Sequence, residues 1–141
     1  MKNEVRQKKY ALKKYRRQMA KISWLENKLR ELDFTLEGMK SKEITDMPRG
    51  GQPVDIDDLL SKKEELEIRI NNLVQKSRVT RTILYNWLDN LDDERCSEIL
   101  EMYFIDLLSF EDIADIKHYS TRHVNRLYSK GLNEIVISSI S

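Results

Sequence analysis

The sequence predicts an all-α protein: a long N-terminal helical hairpin or coiled coil, followed by a small C-terminal helix-turn-helix domain. Three observations predict it. Only 4 glycines and 2 prolines occur in 141 residues, and Pro48, Gly50, Gly51 and Pro53 share one six-residue window, so the remainder is nearly free of helix breakers. Apolar residues recur at heptad spacing on both sides of that window. Beyond residue 91 the pattern changes to short helices with explicit capping residues. These boundaries divide the chain into a coiled-coil or oligomerisation arm over residues 1–90, with a loop at about 40–53, and a helix-turn-helix domain over 91–141.

In the first helix Tyr15, Ile22, Leu29 and Leu36 recur every seven residues, interleaved with Leu25, Leu32 and Met39 and interrupted by Gln18. After the loop a second seam runs Ile56, Leu59, Lys63, Leu66, Ile70 and Leu73. It weakens at Ser77 and Thr80 before Leu84, Trp87 and Leu91. Two such stripes can face each other as an antiparallel hairpin or face another chain, and the pattern alone leaves both open. Trp24 and Trp87 fall near seam positions and are expected to pack.

Asp92 is the expected cap of a helix whose Cys96, Ile99, Leu100, Tyr103 and Phe104 share one face. Cys96, on that face, is expected in the core. Ser109 with Asp112 approximates a capping box for a second helix carrying Phe110, Ile113 and Ala114. Ser120 caps a third, with Val124, Leu127, Tyr128 and Ile135 inward.

The last two helices carry the functional signal. A helix-turn-helix needs a small residue where its helices cross, a tight turn and a capped second helix held by apolar anchors. Ala114, the turn through His118 and Tyr119, Ser120, and Val124 with Leu127 supply these. His118 stands where many such turns place glycine, so a positive φ at some cost is expected there. At 100° per residue Arg122, Arg126, Ser129 and Asn133 point away from the core side, flanked by Asn125 and Lys130. Arginine and asparagine bridge two edge atoms of guanine and adenine in the major groove. Thr121 and Arg122 begin the helix, where base edges or phosphates are reached, and Lys117 in the turn suits a backbone contact. The candidate DNA-binding residues are therefore Lys117, Ser120, Thr121, Arg122, Asn125, Arg126, Ser129 and Lys130.

A formal charge of +1 conceals a partition of the 35% of residues that are charged. Residues 1–30 carry net +9, residues 31–76 net −4, residues 77–115 net −7 and residues 116–141 net +3. Partners respond to the local field. The basic start, Lys8, Lys9, Lys13, Lys14, Arg16, Arg17 and Lys21, fits phosphate tracking, a solvated helix face, or a complement to the acidic stretch 92–101 of a neighbouring subunit. Asp92, Asp93, Glu94, Glu98 and Glu101 read as a solvated face with favourable charge at a helix start, with RNA polymerase as the other possible partner.

The stretch from about Leu88 to Ile135 resembles sigma-factor region 4 along Arg95–Phe104, Ser109–Ala114 and Tyr119–Val124. The whole chain is similar to small phage-encoded transcriptional regulators of the ArpU and RinA type, with Asp46–Gly50 and Tyr119–Ser120 as the recognisable signatures. That resemblance implies control of late phage genes in a bacterial host by promoter binding, with double-stranded DNA as the partner and host RNA polymerase as a further one.

Other classes are not favoured. The longest apolar run is Met102–Ile105, against about 20 residues for a membrane span, and no secretory signal is read, so a cytoplasmic location without membrane contact is expected. A single cysteine and two histidines do not suggest a disulfide or a metal site. No nucleophile-base set or phosphate-binding glycine loop is present, and Pro48–Gly51 lacks the lysine of a P-loop. The expectation is a non-enzyme without cofactor that forms a homo-oligomer, a dimer above all. A small-terminase-like DNA-packaging protein and an adaptor that binds polymerase without DNA are the rivals.

Overall fold

A computed structural model describes residues 2–42 and 55–137. They form six helices: α1 (Lys2–Leu12), α2 (Lys14–Lys42), α3 (Ile56–Asp89), α4 (Glu94–Phe104), α5 (Phe110–Lys117) and α6 (Thr121–Glu134). No strand occurs among the described residues, and no described helix is long and apolar enough to cross a membrane. The Asp46–Gly50 signature lies outside the described residues.

α1 and α2 are nearly one helix. Only Lys13 departs from helical assignment, and the ladder continues through it with Lys13 N–H donating to Lys9 O at 2.9 Å and Arg17 N–H to Lys13 O at 3.0 Å. The chain forms two compact units whose boundary differs from the expected one at residue 90. One holds residues 1–18 and 76–141; the other holds 19–75. The reason is burial at the start of the first helix and at the end of α3. Leu12 and Tyr15 of the first helices, and Leu84, Trp87 and Leu88 of α3, are buried within the same unit as the three short helices. Ser77 and Thr80, where the second seam weakens, are buried there too, and the Thr80 hydroxyl donates to Lys76 O at 3.2 Å.

In the second unit the single chain sets α2 beside α3. Lys63, early in α3, makes a 2.9 Å ion pair with Asp33, late in α2, and the two helices pair within one chain as an antiparallel hairpin. The carboxylate raises the Lys63 pKa, chiefly through the hydrogen bond and then through its charge. Ile22, Leu25 and Leu36 are buried, whereas Leu29, Leu32, Met39, Leu59, Leu66, Ile70 and Leu73 are half-buried. Trp24 departs from the expectation that it packs: it is 47% exposed, with the ammonium groups of Lys21 and Lys28 over its ring at 4.8 and 3.9 Å. A lone hairpin offers each helix a single neighbour, so a seam-flanking tryptophan stays at the edge.

In the first unit Cys96, Ile99, Leu100, Phe104, Ile113 and Val124 are fully buried, each large apolar one contributing about 1.5–3 kcal/mol by area. Burial pushes the Cys96 thiol pKa up, in keeping with a core residue. The cap of α4 is Asp93 and not Asp92. Asp93 has the extended backbone of a cap (φ −88°, ψ 108°), and its carboxylate accepts from Arg95 N–H at 3.0 Å. Between α4 and α5 the backbone passes through φ 61° at Leu107, a costly conformation for a leucine that no turn residue announces.

Candidate nucleic-acid interface

The helix-turn-helix is built from local rules. Ser109 Oγ accepts from Asp112 N–H at 3.1 Å, opening α5. His118 closes it in the left-handed region (φ 59°, ψ 40°), and the N–H of Tyr119 donates to Ala114 O at 3.0 Å, a Schellman-type ending. Only His118, Tyr119 and Ser120 separate α5 from α6. Ser120 Oγ then accepts from His123 N–H at 3.1 Å. The expected small residue, Ala114, is buried.

α6 is held down by Val124, Leu127, Tyr128 and Leu132, all buried, and Ile135 just beyond it is buried as well. Gly131 permits the closest approach: a Cβ there would fall 2.9 Å from Leu100 Cδ1 and 3.3 Å from Cys96 Cβ. Tyr128 joins an aromatic cluster with Tyr103, Phe104 and Phe110 at centroid distances of 5.3, 5.8 and 5.0 Å. Burial raises its phenol pKa to about 12.

The structure brings most of the expected residues onto one exposed stripe of α6: Thr121, Arg122, Asn125, Arg126 and Ser129. Ser120 caps the near end. Arg126 donates to His123 Nδ1 at 2.7 Å, and the His123 ring stands edge-on to Tyr119 at 4.7 Å. His123 thus orients Arg126, a contact that their three-residue spacing could have suggested. Two candidates lie elsewhere. Lys117 is the last residue of α5, half-buried and ion-paired with Glu98, and is not a free residue of the turn. Lys130 leaves the stripe for Asp93 at 3.0 Å. Hydrogen bonds from Arg95 and then Lys130 hold the Asp93 carboxyl well below the usual carboxylate range. The acidic stretch therefore engages two of the cations assigned to DNA.

Part of the basic N-terminal segment has a structural task that local spacing did not reveal. Lys8 Nζ donates to Leu132 O at 3.1 Å and Asn133 O at 3.2 Å, satisfying open carbonyls at the end of α6. Arg16 donates to Tyr103 O at 3.0 Å near the end of α4, its guanidinium 5.0 Å from the Tyr103 ring centre. Cations suit helix C-termini because the macrodipole is negative there. Among the described residues no group of three or more His, Cys, Asp or Glu could hold a metal. Comparison of the chain with protein-family models, with curated proteins and with solved structures gave no match.

Proposed function

We propose that this protein is a sequence-specific DNA-binding transcriptional regulator that reads the major groove with α6. The observation that carries the reading is the exposed stripe of Thr121, Arg122, Asn125, Arg126 and Ser129 on a helix capped by Ser120. Arg122 and Arg126 suit the O6 and N7 edge of guanine, and Asn125 the N6 and N7 edge of adenine. Lys117 and Lys130 serve as phosphate contacts at the flanks. Each pair keeps one well-exposed partner, Glu98 at 53% and Lys130 at 48%, and surface pairs of this kind are worth about 1 kcal/mol or less, so a phosphate can replace the carboxylate. The likeness to sigma-factor region 4 and to phage regulators favours late-gene promoters in a bacterial cytoplasm as the target.

A dimer accompanies this reading. The hairpin leaves its seam half-buried and Trp24, Phe34 and Ile68 exposed, which suits completion by a second copy. A dimer joins two half-sites about one helical turn of DNA apart or a multiple of it.

Gel-shift titration against selected duplexes tests the assignment. Arg126→Ala and Arg122→Ala each cost about 1–3 kcal/mol, a five- to 150-fold rise in Kd, with relaxed base preference. Full preference retained in both variants removes base reading from α6. Failure of the intact chain to bind any duplex favours the adaptor role.

A further inference from the structure

The N-terminal cations divide into two groups. Lys8 and Arg16 turn inward to helix ends. Arg6, Lys9, Lys13, Lys14 and Arg17 do not: none of the five has a carboxylate partner among the described residues, where the sole ion pair of this segment is Lys8 with Glu4. At 100° per residue these five and Tyr10 occupy an arc of about 140° centred opposite Lys8 and Tyr15. Arg6, Lys14, Arg17 and Tyr10 are exposed; Lys9 and Lys13 are half-buried.

We propose that this face is a second, sequence-independent DNA contact in which Arg6, Lys9, Lys13, Lys14 and Arg17 bind backbone phosphates of the duplex that α6 reads. It rests on the DNA-binding reading above. Four observations carry it. The stripe is all of one sign, whereas the solvated start of α3 mixes Asp57, Asp58, Lys62, Lys63, Glu64 and Glu65. Like charges three and four residues apart repel, so helix stability does not account for them. Arg17 is pre-oriented: it donates to Tyr10 O at 3.0 Å with its guanidinium 4.0 Å from the Tyr10 ring centre. Finally, Lys8 fastens this helix to the C-terminal end of α6 within the same compact unit. From residue 6 to residue 17 the helix rises about 16 Å, the axial rise of about five nucleotides of one strand.

Counterion release supplies the test, because each phosphate contact adds about 0.9 to the slope of log K against log salt. The variant carrying Arg6→Gln, Lys9→Gln, Lys13→Gln, Lys14→Gln and Arg17→Gln, with Lys8 and Arg16 kept, is compared with the intact chain on one duplex between about 50 and 200 mM salt. The expected result is a slope smaller by at least about 2, with base preference retained. Circular dichroism checks the fold. Should the multiple variant not fold, Arg6→Gln and Lys14→Gln singly, at exposed positions, are each expected to lower the slope by about 0.9.

An unchanged slope in a folded variant overturns the proposal while leaving base reading by α6 intact. The same holds if the variant loses self-association instead, which would assign the stripe to an acidic protein surface. Salt-dependent binding that falls in the stripe variant, on a chain without base preference, supports the stripe and overturns base reading. No binding of the intact chain to any duplex overturns both.

Discussion

The two compact units use the same amino acids to opposite effect. In the unit of residues 1–18 and 76–141, Leu84, Leu88, Ile99, Leu100, Phe104, Ile113, Val124 and Ile135 are 0–1% exposed. In the hairpin unit, of the seam residues only Leu25 reaches that level, and most of its partners stay half-buried. The difference lies in the number of neighbours each helix has. Short helices crossing one another close a core on several sides, whereas two long helices side by side cover one flank of each stripe. One unit closes a core of its own; the other leaves most of its seam half-buried.

The largest expected effect sharpens this contrast. Phe104→Ala removes a fully buried ring and is expected to cost about 3–5 kcal/mol in denaturant unfolding. Leu66→Ala, at a half-buried seam position, is expected to cost about 1–2 kcal/mol in dilute protein, below the range for fully buried leucines. A Leu66→Ala cost that climbs toward the Phe104→Ala value as protein concentration rises would show the seam to be closed by another copy.

Alkaline unfolding separates the units by composition. All six tyrosines lie in the first unit, and none lies between residues 19 and 75. Tyr128 ionises at about 12 in the folded chain, against about 10 when unfolded. Its neutral phenol therefore contributes stability in full below about pH 10, and that contribution is lost as pH rises from about 10 to 12. Tyr128→Phe is expected to reduce the loss of helical signal over that window; an identical alkaline limb in both proteins would mean that Tyr128 is not the titrating group.

The smallest change concerns the turn. His118→Gly relieves a left-handed residue and is expected to raise the stability of the first unit by about 1 kcal/mol, seen as a higher Tm. The hairpin transition, if resolved, should not move. A lowered Tm would show that the imidazole makes a contact worth more than the backbone strain.

Much of the helix-turn-helix was legible because its signals are local. Ser109 and Ser120 cap helices three residues ahead, His118 takes the positive φ that its place in the turn demanded, and Val124, Leu127 and Tyr128 turn inward at helical spacing. What escaped reading depends on distance along the chain. The partners of Lys117 and Lys130 lie 19 and 37 residues away, and those of Arg16 and Lys8 lie 87 and 124 residues away. The cap of α4 was ambiguous for another reason: Asp92 and Asp93 are the same residue type, and only backbone geometry selects the second. Trp24 was misplaced because heptad position reports a direction and not whether a neighbour stands there.

The bond from Lys8 to the end of α6 has a consequence for the order in which the molecule is made. Lys8 leaves the ribosome 124 residues before Leu132, roughly 6–25 s at ordinary synthesis rates. During that interval α6 does not exist, and the first helix has nothing to fasten. α6 is secured by a helix made long before it, so a fragment starting near residue 91 would carry α6 without the clasp that holds its far end.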